Sequence, residues 1–99
     1  MFIITIDKID SNSTGVCGPR SITDADAASL RQVADGHAPA GVEAIHFKMY
    51  DDDGEHYYSG YWVARGDADE LEPLDCFGAP MAGCTMIKTR REDGRYLQV

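Results

Sequence analysis

Cysteine is scarce here, and its spacing does not suit chemistry. Three occur, Cys17, Cys76 and Cys84, an odd number with no CxxC pair. That argues against a disulfide framework and removes the basic spacing of zinc-ribbon and thioredoxin sites. Positive charge is short as well. Nine Lys and Arg stand against seventeen Asp and Glu, a formal net charge of −8. That balance argues against a sequence-general nucleic-acid binder, which needs basic surface against phosphate, and equally against docking on an anionic membrane. Long apolar runs are missing too. The opening Met1–Ile6 has no basic residues before it and turns acidic at Asp7, so it does not read as a signal peptide. Nothing approaches the length needed to span a bilayer. No GxSxG, HExxH, P-loop or dinucleotide-binding glycine turn occurs. The expectations from these absences are no cofactor, no metal, no direct nucleic-acid contact, no membrane and a cytoplasmic setting in a bacterial host cell.

What is present is enough apolar residue, 43%, for one packed domain over residues 1–99. Residues 2–9 read as a β-branched strand, with Phe2, Ile4 and Ile6 on one face and Ile3, Thr5 and Asp7 on the other. Apolar on both faces at its start, this strand belongs inside a sheet. Residues 10–22 read as a Ser/Asn/Gly/Pro loop. Residues 23–36 form the one convincing helix. Thr23 is its N-cap, Asp26 completes a capping-box pair, Ala27, Leu30, Val33 and Ala34 make its apolar stripe, and Gly36 stops it. His37 begins a short connector.

Residues 42–65 read as a hairpin folding at Asp51-Asp52-Asp53-Gly54. They hold the only Trp, four of five Tyr and two of three His. The triple Asp is not an EF-hand: with Gly54 sixth, Met49 falls first and Gly60 twelfth, where acids belong. A type I turn with Gly54 left-handed fits better. With Asp51 opposite Glu55, the register sets Met49 against Tyr57, Phe47 against Ser59 and Ile45 against Tyr61. Ile45, Phe47, Met49, Tyr57, Tyr61 and Val63 then form a core face under the helix. His46, Lys48, Tyr50, His56, Tyr58, Gly60 and Trp62 form a second, aromatic face of interface composition.

Residues 66–75 read as an acidic loop in which Pro73 limits any helix to the residues before it. Residues 51–75 hold nine acids and one base, so one quarter of the chain carries essentially all the net charge. Residues 76–83 read as a Gly/Pro/Ala loop. Strands at 84–90 and 95–99 flank a second turn, Arg91-Glu92-Asp93-Gly94. The cations near that turn, Lys88, Arg90, Arg91 and Arg95, read as partners for neighbouring acids rather than as a nucleic-acid site. Cys17, between glycines, is weighed as a nucleophile and set aside for want of a base. His46 and His56 share a sheet face but lack a third ligand for a metal.

The segments YDDDGEHYYSGYW (50–62) and PLDCFGAPMAGCTMI (73–87), with ID…GVCGPR (6–20), resemble motifs of small acidic proteins carried by bacterial prophages and mobile elements. The resemblance implies a setting in which inhibitors of host defence, anti-CRISPR proteins among them, occupy the basic nucleic-acid channel of a defence complex. The expected fold is α+β: an antiparallel sheet of four to five strands with one helix packed on one face. The expected function is a non-enzymatic acidic interaction protein that binds a basic, nucleic-acid-binding protein surface, such as a CRISPR-Cas subunit. Asp51, Asp52, Asp53, Glu55, Asp67, Asp69, Glu70 and Glu72 would steer and pair with Lys and Arg, and Tyr50, Tyr58 and Trp62 would anchor. The alternatives are a small homo-oligomeric accessory protein, as a homodimer, and a Cys17-dependent enzyme.

Overall fold

A computed structural model describes residues 1–66 and 68–99. The fold is α+β. Six strands form one antiparallel sheet: β1 (Phe2–Asp7), β2 (Cys17–Gly18), β3 (Ala44–Tyr50), β4 (His56–Val63), β5 (Met86–Arg90) and β6 (Tyr96–Gln98), in the spatial order β2-β1-β4-β3-β5-β6. Two helices accompany it, α1 (Asp24–Ala34) and the short α2 (Ala79–Ala82). Strand β2, two residues long, arises inside the segment that composition marks as loop. It pairs Cys17 with Ile3 and Gly18 with Phe2.

Local signals translate directly. The Thr23 hydroxyl accepts from Asp26 N at 3.1 Å and the Asp26 carboxylate accepts from Thr23 N at 3.0 Å. The reciprocal cap starts α1, and a left-handed Gly36 (φ 82°) closes it. The two hairpin turns are built alike. Asp51 N donates to Glu55 O at 3.0 Å and Gly54 N to Asp51 O at 3.0 Å; Arg91 N donates to Arg95 O at 2.7 Å and Gly94 N to Arg91 O at 2.9 Å. Each needs a residue at positive φ, which Gly supplies without strain.

Two one-residue bulges decide the faces. In β4, Met49 pairs with Tyr58 but Tyr50 pairs with His56, leaving Tyr57 as the extra residue. In β1, Ile4 pairs with Gly60 and Ile6 with Ser59, leaving Thr5 extra. A bulge inverts every side chain beyond it. Tyr58 and Trp62 therefore turn inward and Tyr61 turns outward, the reverse of the unbulged register. Likewise Asp7 joins Phe2 and Ile4 in the interior, while Ile6 is exposed.

The sheet is covered on both sides. On one face, Phe2, Ile4, Phe47, Met49, Tyr58, Trp62 and Ile87 pack under the segment that carries Leu71, Leu74, Phe77 and Cys84. That segment is not the loop its composition implies. A π-helical turn over Leu74–Gly78 runs into α2, with Pro73 at its N-cap. Proline lacks only a donor that the first turn leaves unsatisfied, so it starts this helix instead of ending one. On the other face, Leu30 and Val33 of α1 rest on Met1, Ile3 and Val63. The helix thus covers the face opposite the Phe47–Met49 core, and only at its β1 side.

Buried Asp7 organises the loop after β1. Its carboxylate accepts from Ile9 N (2.9 Å), Asp10 N (3.3 Å) and Ser13 N (2.9 Å). Burial pushes this carboxyl up, but those backbone donors outweigh it and hold the pKa below the ordinary value of 3.8. A carboxyl depressed in the folded state stabilises above its unfolded pKa and loses that contribution as pH falls through the folded one. An Asp7→Asn protein is expected to have a lower urea midpoint than the parent at pH 7. The two midpoints should converge below about pH 4, because protonation of the parent removes the same contribution. A gap that stays constant down to pH 2 would show that ionised Asp7 does not hold this loop.

Candidate functional site

The β3–β4 tip is an acidic turn braced by the hydrogen bonds of one of its members, Asp51. Asp51 Oδ1 accepts from Asp53 N and Glu55 N, both at 2.9 Å, and Asp51 Oδ2 accepts from the Tyr57 hydroxyl at 2.9 Å. The Glu55 backbone bond, with the others, holds the Asp51 carboxyl below its ordinary range. Asp52, Asp53 and Glu55 are exposed and point to solvent from this braced turn.

The remaining predicted acids lie elsewhere. Strand β4 separates the tip from the 66–75 segment by eight residues, about 23 Å at ~3.3 Å per step. Glu72 pairs with the Met1 ammonium at 2.6 Å, both nearly buried. Glu70 pairs with Arg91 at 3.4 Å and accepts from the Thr89 hydroxyl at 3.4 Å. Asp69 Oδ1 caps Leu71 N at 3.0 Å. Asp67 lies outside the described residues. The acidic quarter of the sequence is therefore not one patch: Glu70 and Glu72 are engaged internally, and three free carboxylates mark the tip.

Of the predicted anchors, only Tyr50 is on the open face. Tyr58 is 3% exposed, edge-on to Phe77 with ring centroids 4.9 Å apart, and Trp62 is 7% exposed in the same cluster. Both were expected to face outward. The Tyr57 bulge places them in the core, where no partner reaches them.

The sheet surface that α1 leaves open carries a different set. His46 stands between two rings, 5.0 Å from Tyr61 and 5.7 Å from Tyr96 by centroids, and its Nδ1 lies 2.7 Å from the Tyr96 hydroxyl. His56 lies 5.3 Å from the Tyr50 ring, with Nε2 2.7 Å from Ser59 Oγ. Lys48 Nζ sits 4.2 Å from the Tyr96 centroid and Lys88 Nζ 5.0 Å from that of Tyr50. Burial pushes both imidazoles below the ordinary 6.5; Arg90, Lys48 and His56 add to this for His46, and Lys8 and Lys48 for His56. The strand alternation in the sequence places His46, Lys48, Tyr50 and His56 on this face but not Tyr61, Lys88 and Tyr96. The missing signals were the Tyr57 bulge, which turns Tyr61 to this face, and the β3–β5 and β5–β6 pairings, which set Lys88 opposite Lys48 and Tyr96 opposite Arg90. Of the second-hairpin cations, Arg91 pairs with Glu70, which lies outside the sheet, and Arg95 with Asp93 of its own turn, so neither makes the cross-strand pair with a neighbouring acid that the sequence implies. Among the described residues Lys88 and Arg90 form no ion pair.

Among the described residues no three His, Cys, Asp or Glu side chains gather as a metal set. Burial pushes the thiols of Cys17 and Cys76 above the ordinary range and that of Cys84 to about 11. That is the direction opposite to an activated nucleophile. Among the described residues no helix is long and apolar enough to cross a membrane. Comparison with family models, with curated proteins and with solved structures finds no match for this chain.

Proposed function

We propose that this chain is a non-enzymatic interaction protein that presents the tip of its β3–β4 hairpin to a basic protein surface. The observation that carries the reading is the division of labour at the tip. Asp51 and Tyr57 brace the turn, while Asp52, Asp53 and Glu55 stay exposed. A braced turn loses little entropy on binding, so its charges are preorganised for a cationic partner. A surface that normally holds nucleic acid is the natural class of partner, and a bacterial defence complex of the CRISPR type is its specific form. That last step rests on the resemblance of residues 50–62 and 73–87 to proteins of mobile elements.

The test is capture of partners from a bacterial lysate on the immobilised protein, followed by association kinetics with the recovered partner at two salt concentrations. The double variant Asp52→Lys/Asp53→Lys keeps the turn, whose hydrogen bonds use Asp51 and backbone. It is expected to slow association tenfold or more at low salt and less at high salt. Unchanged kinetics at both salts would overturn the reading.

A second reading, self-association, is favoured by one observation. β6 is an edge strand of the sheet and leaves Leu97 47% exposed. Unpaired edges accept further strands. Light scattering at high protein concentration separates the two, since a persistent monomer removes this reading.

A further inference from the structure

The open sheet face has a charge opposite to that of the whole chain. No strand position on it carries a carboxylate, in a chain with seventeen acids. At its centre Lys48 and Lys88 stand directly opposite each other on β3 and β5. Like charges in such a pair destabilise a sheet, and no acid is interposed to offset them. Each ammonium lies over a tyrosine ring instead, Lys48 on Tyr96 and Lys88 on Tyr50. Arg90 is paired across the β5–β6 ladder with Tyr96, so cation and aromatic alternate over β3, β5 and β6.

We propose that this face binds a short single strand of nucleic acid, with bases on Tyr50 and Tyr96 and phosphates on Lys48, Lys88 and Arg90. An acidic peptide would satisfy the ammonium groups but leave the rings idle. A nucleotide chain uses both, because each unit carries a flat π-face and one negative charge. In the free protein the lysines occupy the ring faces where bases stack. Binding exchanges those cation–π contacts for phosphate contacts and base stacking. The four strands β4-β3-β5-β6 span about 14 Å at ~4.8 Å spacing, room for roughly two or three nucleotides. The net charge that excludes a long electrostatic footprint does not exclude this one. Charges beyond a Debye length of about 8 Å are largely screened at physiological salt. The acidic tip adjoins Tyr50, so the strand runs across the sheet away from Asp52 and Asp53. His46 faces Lys48, Arg90, His56, Tyr61 and Tyr96; His56 faces Lys8, Lys48, Tyr50 and Ser59, with Glu55 beside it in the chain. A phosphate brought against this set favours protonated imidazole, so affinity rises from pH 8 to pH 6.

The experiment is fluorescence anisotropy of a labelled twelve-residue oligothymidylate in about 150 mM salt, where the 8 Å screening length holds, with a twelve-residue oligoglutamate as competitor. Saturable binding that is stronger at pH 6 and resists oligoglutamate is expected. Tyr50→Ala weakens it roughly 5- to 150-fold, the range measured for loss of one stacked base. Lys88→Thr weakens binding and lowers the salt slope by about 0.7, the value for one phosphate contact on a single strand. The same substitution leaves the melting temperature unchanged or raises it by about 1–5 °C, since it removes the Lys48–Lys88 repulsion. Asp52→Lys/Asp53→Lys retains oligonucleotide binding, which separates this site from the tip. The inference is overturned if the folded protein does not bind the oligonucleotide. It is equally overturned if oligoglutamate displaces it at equal concentration, or if Tyr50→Ala binds as tightly as the parent.

Discussion

A Gly60→Ala protein is expected to melt roughly 4–24 °C below the parent, and Gly60→Val is expected not to fold. Gly60 sits in β4 with Ile4 of β1 on one side and Phe47 of β3 on the other. A Cβ built there collides with the Ile3 carbonyl oxygen and comes within 2.9 Å of the Phe47 ring. A flexible side chain could yield, but the Ile3 oxygen is backbone. It is fixed by the β1–β4 ladder and by the Thr5 bulge that follows. Phe47 cannot move either, being fully buried at 0% exposure. Overpacking of this kind costs about 1–3 kcal/mol for one methyl group, and each kcal/mol lowers the melting temperature of a domain this size by roughly 4–8 °C. Valine adds two further carbons against a total stability of about 5–15 kcal/mol. Thermal denaturation followed by circular dichroism measures both. A Gly60→Ala protein melting within 2 °C of the parent would mean that β1 does not cross β4 at this point.

Trp62→Ala is expected to cost about 3–5 kcal/mol, and Tyr61→Ala less than half of that. The residues are neighbours in β4 and face opposite ways. Trp62 is buried in the core cluster, opposite Phe2 of β1 and Ile45 of β3, whereas Tyr61 is half-buried beside His46. Urea midpoints of the two variants therefore read the register directly. In the parent, Trp62 fluorescence should be shifted to the blue of the unfolded chain and resist acrylamide quenching. A larger loss for Tyr61→Ala, with quenchable tryptophan emission, would restore the unbulged hairpin. It would also return Trp62 to the surface as a contact residue.

The sequence was most legible where one short segment holds both halves of an interaction. The Thr23–Asp26 cap, the Gly36 stop and the two Gly-closed turns were all readable because each partner is within four residues of the other. It was least legible where a distant contact settles a local choice. Whether Tyr57 is paired or bulged depends on its hydroxyl reaching Asp51 and on Phe77 arriving to cover Tyr58. The acids were countable but their duties were not. Glu70 is drawn to Arg91, twenty-one residues away, and Glu72 to the first residue of the chain.

By itself, the sequence determined the α+β class, the helix with both its ends, the two turns and the concentration of acid in residues 51–75. These follow from composition, periodicity and capping, which act over a single turn of chain. The tertiary structure alone decided which side of each strand is inside, what covers each face, and that a cationic, aromatic surface exists on so acidic a protein. The reason is the two-residue period of a strand: one unpaired residue at Tyr57 exchanges both faces of β4 beyond it, and only the packing of the whole sheet selects the bulge.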